Sequence, residues 1–385
     1  MFARRFAVGL CLLVLAATAV RAQPVDNDPS RPGSYTINKK VSHVSLEDDK
    51  ISFDVLRPEG APAGPRPTIV LVPGLGCQPE NYMQVSFWLV SHGFNVALFK
   101  FEGNENDDAP AWDAALKKAV DKLEAEDKDK TSELYDTMDF EKLGIMGHSL
   151  GGAVATLAAA RDSRFKALAV FGPGAIDKSF LDKARNVKGA TIAIDAGLDR
   201  ITPPEEYGGK IVSRANTPYK SHIVVTGGAH PNSPADFDAD YIRDTPRVVW
   251  KPNPAFFYWL TPTVEVPILK DIKPIDSNKQ RALGFPFLTA WMERFVAGES
   301  VPAQWLDGSI GTALKDKGLL DKATFSDAVK DEGLPAPAKP ADDTKAPGKP
   351  ADIGKGTIRD TPRPVSPGLI RALDRAKDAS KDDAR

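Results

Sequence analysis

Leu143-Gly144-Ile145-Met146 runs directly into Gly147-His148-Ser149-Leu150-Gly151-Gly152, which leads into the alanine-rich stretch from Ala153 to Ala160. A short apolar run bounded by glycine reads as a buried strand, and the alanine-rich stretch as a helix. Between them lies a G-x-S-x-G. In a strand-to-helix turn of this kind the residues two before and two after the serine must be small, so that the backbone can fold back and present the hydroxyl. Glycine and serine are common in loops, so the motif takes its weight from its flanks. The Leu150 N–H, at the positive end of the following helix, is a candidate oxyanion donor.

The pattern on either side extends this unit. Apolar or β-branched runs at Ile51–Leu56, Thr68–Val72, Phe94–Phe101, Lys166–Phe171, Thr191–Ala196 and Ser221–Thr226 read as strands. Helical spacing occurs at 81–91, 112–123, 151–160 and 203–213. Strands and helices alternating at this interval predict an α/β fold, a mostly parallel sheet with helices on both faces. A last amphipathic helix is expected over 286–295, with Leu288, Trp291, Met292 and Phe295 on one side.

A serine hydroxyl is a poor nucleophile without a base, so the turn demands a histidine and an acid to orient it, in the order serine, acid, histidine. Histidines stand at His43, His92, His148, His222 and His230. His230 follows the last strand through Gly227-Gly228, at the end where functional loops gather in parallel sheets, and is the candidate base. His222, at that strand's start, reads as a surface histidine with its needs met. For the acid, Asp199 follows Gly197-Leu198 in the loop before Thr202-Pro203-Pro204, whereas Asp195 lies inside the strand; Asp199 is favoured over Asp195, Glu205 and Glu206. The loop Pro73-Gly74-Leu75-Gly76-Cys77 follows another strand and offers the Leu75 N–H as second oxyanion donor. Cys77 has no histidine near it in sequence and reads as a thiol at the pocket edge.

Taken together, Pro73-Gly74-Leu75-Gly76, Ser91-His92-Gly93-Phe94, Asp139-Phe140-Glu141-Lys142 leading into Gly147-His148-Ser149-Leu150-Gly151-Gly152, Gly197-Leu198-Asp199 with Pro203, and Gly228-Ala229-His230 resemble an α/β-hydrolase. Within that superfamily the chain is similar to the group of dienelactone hydrolases, platelet-activating-factor acetylhydrolase-like enzymes and cutinase-like polyester hydrolases. The resemblance implies the α/β-hydrolase fold and a serine hydrolase that cleaves small or polymeric carboxylic esters through an acyl-enzyme, without a cofactor. Two other readings stay open at this point: a serine peptidase or amidase on the same triad, and a non-catalytic binding module of the cell envelope. Two features depart from the group. Pro73-Gly74 stands where many relatives have His-Gly, and an insert of residues 231–280 precedes the last helix. That insert carries Trp250, Phe256, Phe257 and Trp259, an aromatic cluster that reads either as a lid over an apolar pocket or as a satellite core. Asp236-Phe237-Asp238-Ala239-Asp240 resembles the start of a calcium loop, but Tyr241 replaces the needed glycine and Arg247 the final glutamate, so no metal is expected.

The ends differ from the body. Arg4 and Arg5 precede an apolar run from Phe6 to Val20, and Val20-Arg21-Ala22 suits a signal peptidase. At 15 residues the run is short of the roughly 20 needed to span a bilayer, so residues 1–22 read as a cleaved secretory signal and the mature chain as secreted or periplasmic, with no membrane span. Cys77 is then the one remaining cysteine, so no internal disulfide is expected. Residues 333–385 hold eight prolines and no aromatic residue, the composition of an extended tail, with cap and spacing for a short helix at 367–377. This tail is the segment suited to touching an envelope component. The intervening 23–332 read as one catalytic domain with a net charge of −8, which excludes a basic face for nucleic acid.

Overall fold

The computed structural model describes residues 28–38, 41–47, 50–77, 79–102, 109–230, 234–235 and 274–331. The signal segment, the C-terminal tail, and Trp250, Phe256, Phe257 and Trp259 lie outside the described residues. In chain order the elements are β1 (Thr36–Ile37), β2 (Ser42–Leu46), β3 (Ile51–Leu56), β4 (Pro58–Glu59), β5 (Arg66–Val72), α1 (Met83–Ser91), β6 (Asn95–Phe101), α2 (Ala109–Lys128) and β7 (Met138–His148). There follow α3 (Leu150–Arg161), β8 (Phe165–Phe171), α4 (Phe180–Lys183), β9 (Ala190–Ala196), α5 (Gly208–Arg214), β10 (Lys220–Val225), α6 (Ser277–Met292), α7 (Ser309–Asp316), β11 (Leu320–Phe325) and α8 (Asp327–Asp331).

Nine strands form one sheet in the order β11-β10-β9-β8-β7-β5-β6-β3-β2 among the described residues. From β6 to β10 all neighbours are parallel, and antiparallel pairs close both flanks: β3 on β6, β2 on β3, β11 on β10. The central strands are apolar on both faces because both are covered. Along β5, Val70 and Val72 join a core layer with Trp112, Leu116, Val154 and Phe180, while Ile69 and Leu71 join the opposite layer with Trp88, Leu89, Leu288 and Trp291. Each such large side chain, fully buried, contributes about 1.5–3 kcal/mol.

Several boundaries differ from expectation for local reasons. The helix expected over 203–213 starts only at Gly208, because Pro203 and Pro204 shape a turn in which Glu206 N–H and Tyr207 N–H bond to Pro203 O. The last helix begins at Ser277 rather than 286: the Asp276 carboxylate accepts from Asn278 N–H (2.9 Å) and Lys279 N–H (3.1 Å), capping it. The insert therefore ends at 276, not 280. Pro286 sits within α6, which passes into a π-turn over Glu293–Ala297 and stops at Gly298 with φ 75°. Trp88 Nε1–H donates to Thr289 Oγ1 at 2.7 Å and ties α1 to α6 across their shared face.

Candidate active site

The C-terminal ends of β5, β7, β8 and β9, with the loop after β10, converge on Ser149. This residue takes φ 54°, ψ −123°, a region that costs a non-glycine residue about 1–3 kcal/mol. Its surroundings hold it there. Ser149 N–H donates to Phe171 O (3.0 Å), and its carbonyl accepts from Gly152 N–H and Gly174 N–H, each at 2.9 Å. The glycine spacing has a steric cause: a Cβ on Gly147 would lie 2.1 Å from Gly151 O, and one on Gly151 would lie 2.1 Å from Val72 O. Leu150 opens α3, so its N–H is among those a helix leaves without an internal partner.

Asp199 and His230 meet beside this turn. His230 Nδ1–H donates to Asp199 Oδ2 at 2.6 Å, with both side chains almost wholly buried. The acid is held from several sides. Asp199 Oδ1 accepts from Ile201 N–H and Thr202 N–H, both at 2.9 Å, and Thr202 Oγ1 lies 2.8 Å from Oδ2. Burial alone would raise the Asp199 carboxyl, but the neighbouring His230 and the donors on Thr202 outweigh it and hold the group below its ordinary value. An ionised Asp199 accepting at Nδ1–H leaves the other ring nitrogen of His230 as the acceptor. Thr202 was not singled out by the sequence reading. The available signal is its place three residues after an aspartate in a loop, where its own N–H and hydroxyl can turn back to the carboxylate.

The loop after β5 runs against the same serine. A Cβ placed on Gly74 would lie 3.2 Å from both Ser149 Cβ and His148 Nδ1. Gly74 N–H donates to Tyr82 Oη (2.8 Å) and Gly74 O accepts from Cys77 N–H (3.1 Å), and the Leu75 N–H shares a peptide unit with that carbonyl. The Cys77 thiol is pushed up to about 11 by burial, against lowering by Tyr82 and Gly74, which keeps it protonated at neutral pH.

His148, before the serine, is buried. Burial and then its neighbour His230 push its ring down to about 3, which keeps it neutral. The His148 and His230 ring centroids are 5.0 Å apart.

The other expected acids lie elsewhere. Glu205 pairs with Lys322 on the surface, and Glu206 faces Lys178. Asp195 is engaged by His222, whose Nε2 lies 2.8 Å from Oδ2, and its Oδ1 accepts from Gly172 N–H at 3.0 Å. This corrects the reading of His222 as a surface residue: it is 2% exposed. The cause is β11, which pairs along β10 with Thr324 opposite His222, so the strand is covered and not an edge.

A model of the family described as PET hydrolase-like matches residues 50–239, a span from β3 through Ser149 and Asp199 to His230. Among curated proteins no match is found.

Proposed function

Residues 50–239 belong to the PET hydrolase-like family, carboxylic ester hydrolases of the α/β-hydrolase type, and from that premise we propose that this chain cleaves small or polymeric esters with Ser149 as nucleophile, His230 as base and Asp199 as its orienting acid. Ser149 Oγ attacks the ester carbonyl while His230 Nε2 takes the hydroxyl proton. The proton then passes to the leaving alkoxide, which departs as the alcohol and leaves the acyl group on Ser149. Water, deprotonated by the same nitrogen, attacks the acyl-enzyme, and the proton returns to Ser149 as the acid is released. Asp199 stabilises the imidazolium in both halves. The Leu75 and Leu150 N–H groups receive the oxyanion, where each such donor contributes about 10²–10³ in rate.

The observation that carries the reading is the 2.6 Å Asp199–His230 pair placed beside a serine held at φ 54° on a strand-to-helix turn. We further propose export through residues 1–22; among the described residues no helix is long and apolar enough to cross a membrane. A fluorophosphonate should label Ser149, and Ser149→Ala should lose p-nitrophenyl ester turnover while melting like the parent. Full turnover in that variant would sink the assignment. Turnover of the matching anilides faster than the esters would move the chain to the amidases.

A further inference from the structure

Three hydrogen bonds run head to tail from the loop after β5 to the backbone of the base. Gly74 N–H donates to Tyr82 Oη (2.8 Å), Tyr82 O–H donates to His148 Nδ1 (2.9 Å), and His148 Nε2–H donates to the carbonyl of His230 (3.0 Å). The direction is forced. A carbonyl can only accept, so Nε2 carries the hydrogen; a neutral ring then accepts at Nδ1; Tyr82 has one proton to give, and its oxygen accepts from Gly74. Tyr82 is wholly buried in a 3-10 turn at the start of α1, and its carbonyl accepts from Ser86 Oγ at 2.8 Å. The neighbouring Cys77 thiol reaches both the Tyr82 side chain and Leu75 O (3.8 Å); a protonated thiol is a weak acceptor, so the imidazole Nδ1 is the stronger acceptor for the tyrosine's proton.

Gly74 is pinned on both sides. Its N–H is held by Tyr82 and its carbonyl by Cys77 N–H. The Gly74 carbonyl and the Leu75 N–H belong to one planar peptide unit, so fixing the first aims the second. Glycine is the residue most free to swing away from such an aim, which gives the tyrosine its purpose.

We propose that Tyr82 is a positioning residue for the oxyanion loop: its buried hydroxyl fixes the Pro73–Gly74 peptide, from which the Gly74–Leu75 unit held by Cys77 N–H is hinged, and, through His148, ties that loop to the serine turn and to the backbone of His230. The inference rests on the assignment of Ser149, His230 and Leu75 made above. No motif contains Tyr82, and it acts on the reaction through a neighbour's backbone.

The test compares full-length parent, Tyr82→Phe and Ser149→Ala. Competent sites are counted by fluorophosphonate titration, turnover is followed on p-nitrophenyl butyrate, and butylboronic acid serves as the tetrahedral probe. Tyr82→Phe should lower kcat per titrated site by about 10- to 100-fold, the scale of a displaced oxyanion donor, with KM within about threefold. The inhibition constant for butylboronic acid should rise by a similar factor, because the probe occupies the oxyanion site as the transition state does. A merely structural tyrosine would reduce the number of titratable sites and leave the per-site kcat and the boronate affinity at parent values; that result overturns the proposal. Nitrogen-15 NMR of the parent protein gives a check that needs no variant: His148 should be protonated at Nε2 and bare at Nδ1, and the opposite tautomer would overturn the chain of donors. Ser149→Ala separates the two levels. If it retains turnover, the assignment of the nucleophile falls; if it is inactive while Tyr82→Phe matches the parent, only the role of Tyr82 falls.

Discussion

Asp199→Asn asks whether the acid works by charge and orientation together. Asp199 Oδ1 sits on two backbone donors, Ile201 N–H and Thr202 N–H, while Oδ2 faces His230 Nδ1 and Thr202 Oγ1. In asparagine the amide oxygen must stay on the two backbone N–H groups, so its NH2 turns toward His230. Two donors cannot face one another at 2.6 Å, and the imidazole must move its hydrogen to Nε2, the nitrogen that accepts the serine proton in the proposed mechanism. The expected loss is about 10³–10⁴ in kcat, or roughly 4–5.5 kcal/mol in the barrier. Stability should change little, about 1 kcal/mol, because the Thr202 hydroxyl can turn to Gly172 O, already 3.0 Å away, and no donor is orphaned. The assay is kcat on p-nitrophenyl butyrate beside a thermal melt. Asp195→Asn is the matched control: it alters a buried aspartate paired with His222, and its turnover should stay within about threefold of the parent, since its partner is not the proposed base. Retention of more than a tenth of the parent rate in Asp199→Asn, or a collapse in Asp195→Asn alone, would refute the reasoning.

Gly172→Ala should be as selective without substituting any charged residue. Gly172 has φ 47°, and a Cβ there would lie 2.9 Å from both Asp199 Oδ2 and His230 Nδ1, so the methyl wedges open their bond; kcat should fall about 100-fold and stability by about 1–2 kcal/mol, and unchanged kcat would refute the packing argument. Away from the site, Arg164 bonds to Asp121, Glu124 and Asp162 between α2 and the start of β8. All three carboxyls are held below their ordinary values: for Asp121 and Asp162 the basic partners outweigh burial, and for Glu124 the bond from Lys128 leads, with Arg164 adding to it. Depressed carboxyls contribute stability above their unfolded values, near 4, and lose it as the pH falls through the lower folded values. Arg164→Met should therefore cost about 1–2 kcal/mol at pH 7, discounted for solvent screening, with the difference in urea midpoints shrinking toward pH 3; a constant difference across that range would contradict the assignment.

Local chemistry was the legible part of this chain. The run Ile51–Leu56 is a strand at the bounds its apolar and β-branched residues predict, and the serine turn follows from residues adjacent in sequence. β11 was not picked out because Leu320-Asp321-Lys322-Ala323-Thr324-Phe325 carries polar residues between its apolar ends, and its strand character comes from pairing with β10. That same pairing buries His222, so a residue reasonable as a surface histidine on an edge became an interior one. The helix start at Ser277 rested on one capping carboxylate set in a polar stretch, where periodicity is silent. Within the site, Leu75, Asp199 and His230 announced themselves by lying just past strand ends. Thr202 and Tyr82 did not, since their meaning lies in what is brought opposite them through space.

The two buried aspartates show why position past a strand end separates them. Each meets a histidine nitrogen at hydrogen-bonding distance, Asp199 at 2.6 Å and Asp195 at 2.8 Å. Their carboxyls nevertheless move in opposite directions, Asp199 below its ordinary value and Asp195 above it, the latter chiefly through burial. The difference lies in the donors that remain. Asp199 stands in a loop whose next residues fold back, so Ile201 N–H, Thr202 N–H and Thr202 Oγ1 all reach it. Asp195 stands inside β9, where neighbouring N–H groups are committed to strand pairing, and it receives one backbone donor, from Gly172. Only a carboxylate that keeps its charge when buried can stabilise an imidazolium during turnover. On this argument a strand aspartate gains the loop's function only if donors are supplied with it, so Asp195, which stays in place in Asp199→Asn, does not rescue that variant's activity.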